Sequence, residues 1–183
     1  GFSQLLKRNQ KLLQQTDESL QAIRKSSAQT IQTLASITEK HDPYAAGHQR
    51  KTTELAVAIG RQLGLDPERL ERIRISAALH DVAKIAIPGE ILSKPAVLSP
   101  IEHDLVKLHV SEGVEILRAA DLPKPVVTAV LQHHERLDGS GYPLGLGASQ
   151  ICLEAKILAV ADSMEAMLSH RTYRVALSVE KAL

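Results

Sequence analysis

The sequence predicts an all-α protein, and the prediction rests on composition, on missing strand patterns and on helix capping signals. Aromatic residues make up only 2% of the 183 residues, so Leu, Ile, Val and Ala must build the core, and such a core suits helix packing. Runs of β-branched residues bounded by turns, which would indicate strands, are hard to find. Residues that start or break helices instead separate long segments with helical apolar periodicity.

Residues 1–39 predict one long helix that precedes a second domain, residues 40–183. Leu and Ile recur about every seven residues among Gln, Lys, Ser and Thr, which gives a thin apolar seam. Such a seam favours pairing with another helix, so we expect a homodimer formed through this helix, and a sensor domain upstream of it. The alternative is an amphipathic helix that folds back on its own domain.

Capping and breaking residues delimit the remaining helices. Asp66 and Pro67 are typical of a helix start, and the helix that follows them leads into His80-Asp81. Prolines predict an irregular crossing over residues 85–99. The other predicted helices run from Ala45 to Leu63, from Pro100 to Ala119, over residues 126–132, from Ile151 to Leu168, and onward from Ser178.

Charge and cysteine content narrow the classes of partner. The formal net charge is +1, which gives no electrostatic reason to expect a DNA or RNA duplex or an anionic membrane as partner. Cys152 is the only cysteine, so an internal disulfide is excluded and we expect a reducing, cytoplasmic location. No apolar run approaches the ~20 residues that a membrane span requires.

Histidines and aspartates recur in apolar helical segments, where an unpaired charge is costly. Asp81 follows Ala-Ala-Leu-His and Asp162 follows Leu-Ala-Val-Ala, so each carboxylate needs a partner, which a divalent cation would supply. Taken singly, each residue has an ordinary interpretation; Asp162, for example, could cap a helix or pair with Lys156. Taken together, they predict a site for two first-row transition ions. The candidate ligands are His48, His80, Asp81, His109, His133, His134 and Asp162.

Two motifs carry a resemblance to a known family. Leu-His-Asp-Val-Ala-Lys, residues 79–84, resembles the signature of the HD superfamily of metal-dependent phosphohydrolases. His-His-Glu-Arg-Leu-Asp-Gly-Ser-Gly-Tyr-Pro, residues 133–143, is similar to the long and specific motif of its HD-GYP branch. The resemblance covers residues 40–183 and implies an all-helical phosphodiesterase that linearises cyclic di-GMP, often continuing to GMP. Some members prefer cyclic GMP-AMP, and members commonly follow sensor or receiver domains.

The resemblance implies two divalent transition-metal ions, with iron or manganese favoured and nickel or zinc as further options. Some members hold a third ion through a Glu, but Tyr44 occupies that place here, so we expect two ions. The implied ligands are His48, His80, Asp81 and Asp162 for one ion and His109, His133 and His134 for the other, with Asp81 bridging the two.

The resemblance further implies how the substrate is held and attacked. Asp81 would position the attacking water, and Lys84 would stabilise the negative charge that develops on the phosphate. Tyr142 belongs to the loop that we expect to contact the substrate. Arg171 and Arg174 fall where the family places basic contacts to the dinucleotide, and the alternative is that they are solvated arginines at a helix end.

Several further positions have defined expectations. Glu135 or Asp138 either passes a proton to the leaving oxygen or only braces the glycine-rich loop. The departures from the family pattern remove no ligand and are Ala45, Ala83 and Thr172. The histidines that we expect at the surface are His41, His103 and His170.

Two functions of other classes compete with the phosphodiesterase hypothesis. The chain could be a binding module that docks a diguanylate cyclase domain through its Gly-Tyr-Pro loop, or a di-iron oxygenase, which some HD-superfamily members are. A pure adaptor has no need of the complete ligand set. Lys84 and the basic residues of 171–174 argue against an oxygenase. The expectation is therefore hydrolysis of a cyclic dinucleotide, cyclic di-GMP first and cyclic GMP-AMP as the alternative substrate.

Overall fold

Helices make up the regular structure of the chain in the computed structural model, which describes residues 2–42, 47–169, 178 and 181. Within these ranges, the extended pairing consists of one isolated antiparallel bridge between Asp138 and Gly147. The prediction of an all-α fold is confirmed. The helices are α1 (Phe2–His41), α2 (His48–Gln62), α3 (Pro67–Leu79), α4 (Gly89–Leu92), α5 (Pro100–Ala119), α6 (Lys124–Gln132) and α7 (Leu153–Leu168), with a 3₁₀ helix at Val82–Ala86.

The chain separates into two compact units, Gly1–Thr33 and Leu34–Leu183. The described residues of the first unit belong to helix α1, on which large apolar side chains such as Leu13 and Ile23 are exposed, and the last residues of α1 belong to the second unit. The pairing of this helix in a homodimer stays a prediction. Among the described residues, no helix is both long enough and apolar enough to span a membrane.

Capping residues determine where two helices of the second unit begin. The Asp66 carboxylate accepts a hydrogen bond from the backbone N–H of Arg69 at 2.9 Å, directly before Pro67 at the first helical position. At the start of α5, Ser99 and Glu102 form a capping box in which each side chain accepts a hydrogen bond from the other's backbone N–H. Both helix starts agree with the sequence prediction.

Other boundaries differ from the prediction. The segment predicted as an irregular crossing contains the end of the 3₁₀ helix and the single-turn helix α4. Helix α2 begins at His48, and the predicted start at Ala45 lies outside the described residues. The predicted helix that starts at Ser178 also lies outside them, apart from residues 178 and 181.

Aliphatic side chains of α2, α3 and α7 pack into a core that supports the candidate site. Ala56, Ala77 and Ala161 are fully buried, and Ile73 and Leu158 fill the space between the three helices. Small residues on facing helices let the backbones approach closely, which fixes the relative positions of these helices. Helix α6 packs against α3, α5 and α7. The packing thereby brings the start of α2 and the ends of α3 and α6 toward the middle of α5 and α7.

Candidate metal centre

The fold brings all the predicted ligand residues into one cluster, in which His134 and Asp162 are half-buried and the other five are buried. They come from the start of α2, the residues after α3 and α6, and the middle of α5 and α7. Within each of three groups, the candidate ligand atoms lie within 4.8 Å of one another. We call these groups the carboxylate triad (His48, His80 and Asp162), the histidine triad (His109, His133 and His134) and the joining group (His80, Asp81 and His133).

Asp81 lies between the two triads. Its Oδ2 is 3.4 Å from Nε2 of His80, and its Oδ1 is 3.5 Å from Nε2 of His109. The Lys84 ammonium donates a hydrogen bond to Oδ2 at 2.7 Å. Burial opposes the charged form, but the neighbouring His80, Lys84 and His109 keep the pKa of Asp81 well below its usual value. Asp81 is therefore a carboxylate whose two oxygens face different triads.

One hydrogen-bond pattern fixes three of the imidazoles. The Nδ1 atoms of His80, His109 and His133 lie 2.8, 2.6 and 2.6 Å from the backbone carbonyl oxygen three residues earlier. With the proton on Nδ1, each Nε2 carries the lone pair that a metal ligand needs.

The Nε2 atoms of His80, His109 and His133 are suited to bind a metal ion. All three are buried and, within the described part of the chain, have no hydrogen-bond partner. A buried polar atom without a partner is costly, so the donor set calls for a cation at the point where these atoms converge.

Carboxylates on both sides hold His48. Its Nδ1 donates to the Glu165 carboxylate, and its Nε2 lies 3.1 Å from Oδ1 of Asp162. Burial lowers the pKa of His48, but the hydrogen bonds to Asp162 and Glu165 outweigh that effect and raise it to about 9. The surroundings of Nε2 therefore favour positive charge, whether that charge is a proton or a metal cation.

Sequence reasoning missed Glu165. It lies three residues after Asp162 on α7, so both carboxylates occupy one face of the helix. That spacing was the available signal, but Glu165 also reads as an ordinary surface residue of an amphipathic helix. Only the packing of α7 against α2 reveals that it is buried beside His48.

The histidine triad has a different environment. Burial lowers the pKa of His109 and His133, and burial together with the neighbouring His109 lowers the pKa of His134 to about 3. The Tyr142 ring stacks on His134 with a centroid separation of 4.8 Å and an interplanar angle of 26°. The Lys107 ammonium lies 5.8 Å from the Tyr142 ring centroid. The substrate contact predicted for Tyr142 stays a prediction, and its observed partner is a histidine of the cluster.

The contacts of the glycine-rich loop distinguish the two roles considered for Glu135. This buried carboxylate accepts hydrogen bonds from the backbone N–H groups of Leu144 at 2.7 Å and Leu146 at 2.8 Å. Asp138 is exposed and accepts from the N–H and hydroxyl of Ser140. Both side chains therefore brace the loop, and their contacts do not favour the proton-transfer role.

The remaining predicted residues divide into three groups. His103 is exposed, as expected. His41 corrects the expectation of a surface histidine, because it is half-buried and its Nε2 lies 2.7 Å from the carbonyl oxygen of Ile87. The predicted residues that lie outside the described ranges are Tyr44, Ala45, His170, Arg171, Thr172 and Arg174.

Comparisons with known proteins identify the family of the chain and several relatives. A family model described as an HD domain matches residues 32–183. The chain is 38% identical over 167 residues to the cyclic di-GMP phosphodiesterase response regulator RpfG of Xanthomonas campestris, covering 90% of this chain and 44% of that protein. It is 33% identical over 153 residues to 3'3'-cGAMP-specific phosphodiesterase 3 of Vibrio cholerae, covering 84% of this chain and 33% of that protein.

Among solved structures, the HD domain of the L. monocytogenes phosphodiesterase PgpH superposes with a TM-score of 0.61 at 20% identity, covering 81% of this chain and 78% of that one. This likeness supports the helical fold. The chain spans less than half the length of each of the two curated relatives.

Proposed function

This chain belongs to the HD domain family, and we propose that it is a metal-dependent phosphodiesterase that hydrolyses a cyclic dinucleotide. The observation that carries the proposal is the convergence of five histidines and two aspartates in one cluster, with three buried Nε2 atoms that lack a hydrogen-bond partner within the described residues. The substrate class comes from the relatives, which are named for cyclic di-GMP and for 3'3'-cGAMP. Cyclic di-GMP is our first choice of substrate.

We propose that the cluster binds two divalent transition-metal ions, one at each triad, with Asp81 contributing to both. A ligand set of imidazoles and carboxylates suits iron, manganese, nickel or zinc, and the resemblance favours iron or manganese. Two triads of donor atoms, joined by a third group, support two ions better than one. When bound, such ions lower the pKa of a coordinated water toward ~7 and offset the negative charge of a phosphodiester.

Lys84 supplies a cation from the protein itself. Burial opposes its charge, but the adjacent Asp81 raises the pKa of Lys84, so its ammonium stays protonated. The hydrogen bond to Asp81 fixes the ammonium at the edge of the cluster. A donor held in this way needs no reorganisation to stabilise the charge that develops on a phosphate oxygen, which is how preorganised sites lower a barrier.

A cavity beside Lys84 offers space for the rest of the substrate. Its volume is about 590 Å³, within the range typical of small-molecule sites. Besides Lys84, its lining includes the polar side chains of Asp42, Lys94 and His103 and the aliphatic side chains of Leu98 and Val106. Aliphatic walls suit the faces of a purine base, and the Lys84 ammonium suits phosphate, whereas the Lys94 ammonium already donates to the Glu102 carboxylate at 2.7 Å. We further propose that Arg171, Arg174 and Tyr142 contact the substrate, as the resemblance implies.

The remaining proposals concern assembly. We propose that the exposed apolar seam of α1 pairs two chains, that a sensor domain precedes this helix, and that a diguanylate cyclase domain is a candidate partner. In the full chain, Leu13→Glu places a charge in the seam and should convert the homodimer to a monomer in light scattering. A mass identical to that of the wild type would contradict the pairing through α1.

The deciding experiment for the activity uses metal-loaded protein and two substrates in parallel. Cyclic di-GMP and 3'3'-cGAMP are each incubated with the protein, and the products are separated chromatographically. We expect a linear dinucleotide or mononucleotides from at least one of them, and the ratio of the two rates gives the preference. Protein that contains both ions and converts neither substrate would contradict the proposed function.

A further inference from the structure

Glu165 is a buried carboxylate that belongs to neither triad, yet it makes three polar contacts. It accepts hydrogen bonds from Nδ1 of His48 and from the hydroxyl of Ser169, and the Lys51 ammonium lies 3.6 Å away. The Glu165 side chain is only 5% exposed. A carboxylate this deeply buried is held in place by its partners, so its orientation toward His48 is well defined.

The position of His48 explains why it needs a partner from another helix. For His80, His109 and His133, the backbone carbonyl three residues earlier accepts the Nδ1 proton. His48 is the first residue of α2, so no preceding turn of that helix can supply such a carbonyl. Glu165, on α7, occupies the place of the missing acceptor.

We infer that Glu165 is a positioning residue that fixes the tautomer and ring orientation of His48, so that its Nε2 faces the carboxylates of the metal centre. With Nδ1 bound to Glu165, Nε2 lies 3.1 Å from Asp162 and 3.9 Å from Asp81. A charged hydrogen-bond acceptor at Nδ1 also makes Nε2 more basic, and therefore a stronger electron-pair donor to a metal ion. The inference rests on the proposed metal centre and adds a residue that acts on it through His48.

Variants of Glu165 in the full chain separate positioning from simple packing. Glu165→Met keeps the side-chain volume but removes the acceptor, whereas Glu165→Gln keeps an acceptor oxygen without the charge. Glu154→Gln is the matched control, because Glu154 also lies on α7 and forms a partly buried ion pair, 2.8 Å from Arg69, away from the cluster.

The measurement is the affinity for Mn²⁺ in competition with a chromophoric chelator, together with the number of ions bound. We expect Glu165→Met to lower the affinity for one of the two Mn²⁺ ions by about 10–100-fold, which is the loss typical when the hydrogen-bond partner of a ligating histidine is removed. Glu165→Gln should recover part of that loss. Glu154→Gln should bind both ions as the wild type does.

Two results would overturn the inference. One is wild-type affinity for both ions in Glu165→Met, measured alongside a His48→Ala variant that loses one ion. The other is an equal weakening of both ions in Glu165→Met and Glu165→Gln with a lowered melting temperature, which indicates a general packing defect. Hydrolysis is not a readout here, so a wild type that binds two ions but cleaves no dinucleotide counts against the proposed function alone.

Discussion

The two triads are buried to a similar degree, yet their histidines have opposite electrostatic environments. In the carboxylate triad, burial lowers the pKa of His48 and His80, but neighbouring carboxylates (Asp162 and Glu165 for His48, Asp81 and Asp162 for His80) outweigh burial and raise it. In the histidine triad, burial lowers the pKa of His109 and His133, and nearby imidazoles add to that effect for His133. The comparison teaches that the carboxylates, and not the extent of burial, set the charge of each half of the cluster.

The difference between the triads assigns a special role to Asp81. The carboxylate triad contains its own negative charge, Asp162, whereas the histidine triad offers three imidazoles. Asp81 places Oδ1 3.5 Å from Nε2 of His109, and both Asp162 and Asp81 act electrostatically on His134. Because the histidine triad contains no carboxylate of its own, we expect a cation there to depend more on Asp81 for charge compensation than a cation at the carboxylate triad does.

Asp81→Asn should have the largest effect on both halves. The amide keeps the shape but removes the charge shared between the triads, so we expect hydrolysis to fall by about 10³-fold. Metal analysis should show a greater loss from the histidine triad than from the carboxylate triad. Circular dichroism should show an unchanged helix content. Turnover close to that of the wild type would contradict the bridging role of Asp81.

Removing one histidine from each triad should separate the two ions. We expect His48→Ala and His134→Ala each to reduce the metal content from about two ions to about one per chain. In each variant, the ion at the unchanged triad keeps all the ligands of that triad. Elemental analysis after desalting gives the content. The remaining ion should be bound at a different triad in each variant, and Mn²⁺ spectroscopy would distinguish the two sites. Loss of both ions in either variant would indicate that the halves do not bind independently.

Acidification should affect the carboxylate triad first. The pKa of His48 is raised from 6.5 to about 9, so below that pH a second proton occupies Nε2 and competes with a cation, and each pH unit should cost about tenfold in apparent affinity. The pKa of His134 is lowered to about 3, so this ring stays neutral, with one nitrogen free of a proton, across the same range. Titration of bound Mn²⁺ from pH 8 to pH 6 should show one pH-dependent and one nearly constant affinity. An equal loss of Mn²⁺ affinity at both triads would contradict the difference in pKa between His48 and His134.

The sequence was sufficient for the helical fold and for the membership of the cluster. Asp81 and Asp162 lie in apolar helices where charge demands a partner, and the paired histidines precede a loop rich in glycine, so these residues could be recognised without coordinates. The helix starts at Asp66 and Ser99 were likewise predictable, because capping depends on residues close in sequence.

The supporting contacts were not predictable, because they join residues distant in sequence. Glu165 bonds His48 across 117 positions, and a helical Glu has no local feature that identifies such a partner. His41 contacts the carbonyl of Ile87 for a similar reason, across 46 positions. The stacking of Tyr142 on His134 depends on the path of the loop, which its composition alone does not determine.

The smallest expected effect comes from the loop beside the histidine triad. A Cβ at Gly141 would lie 2.3–2.5 Å from the backbone of Glu135 and Arg136, so Gly141→Ala must displace the loop that carries Tyr142. Such overpacking costs about 1–3 kcal/mol in the free energy of unfolding. Because Tyr142 stacks on His134, the displacement should also weaken the ion at the histidine triad by a few-fold.

Gly147 supplies the matched control for this variant. It lies in the same loop, and a Cβ there would make only an ordinary contact, 3.8 Å from the Gln150 side chain. Gly147→Ala should therefore leave both affinities unchanged. If Gly141→Ala lowers stability but leaves the affinity of the histidine triad at the wild-type value, the loop is a structural element only. A selective weakening of that triad instead links the loop to the position of His134, while the carboxylate triad keeps its affinity.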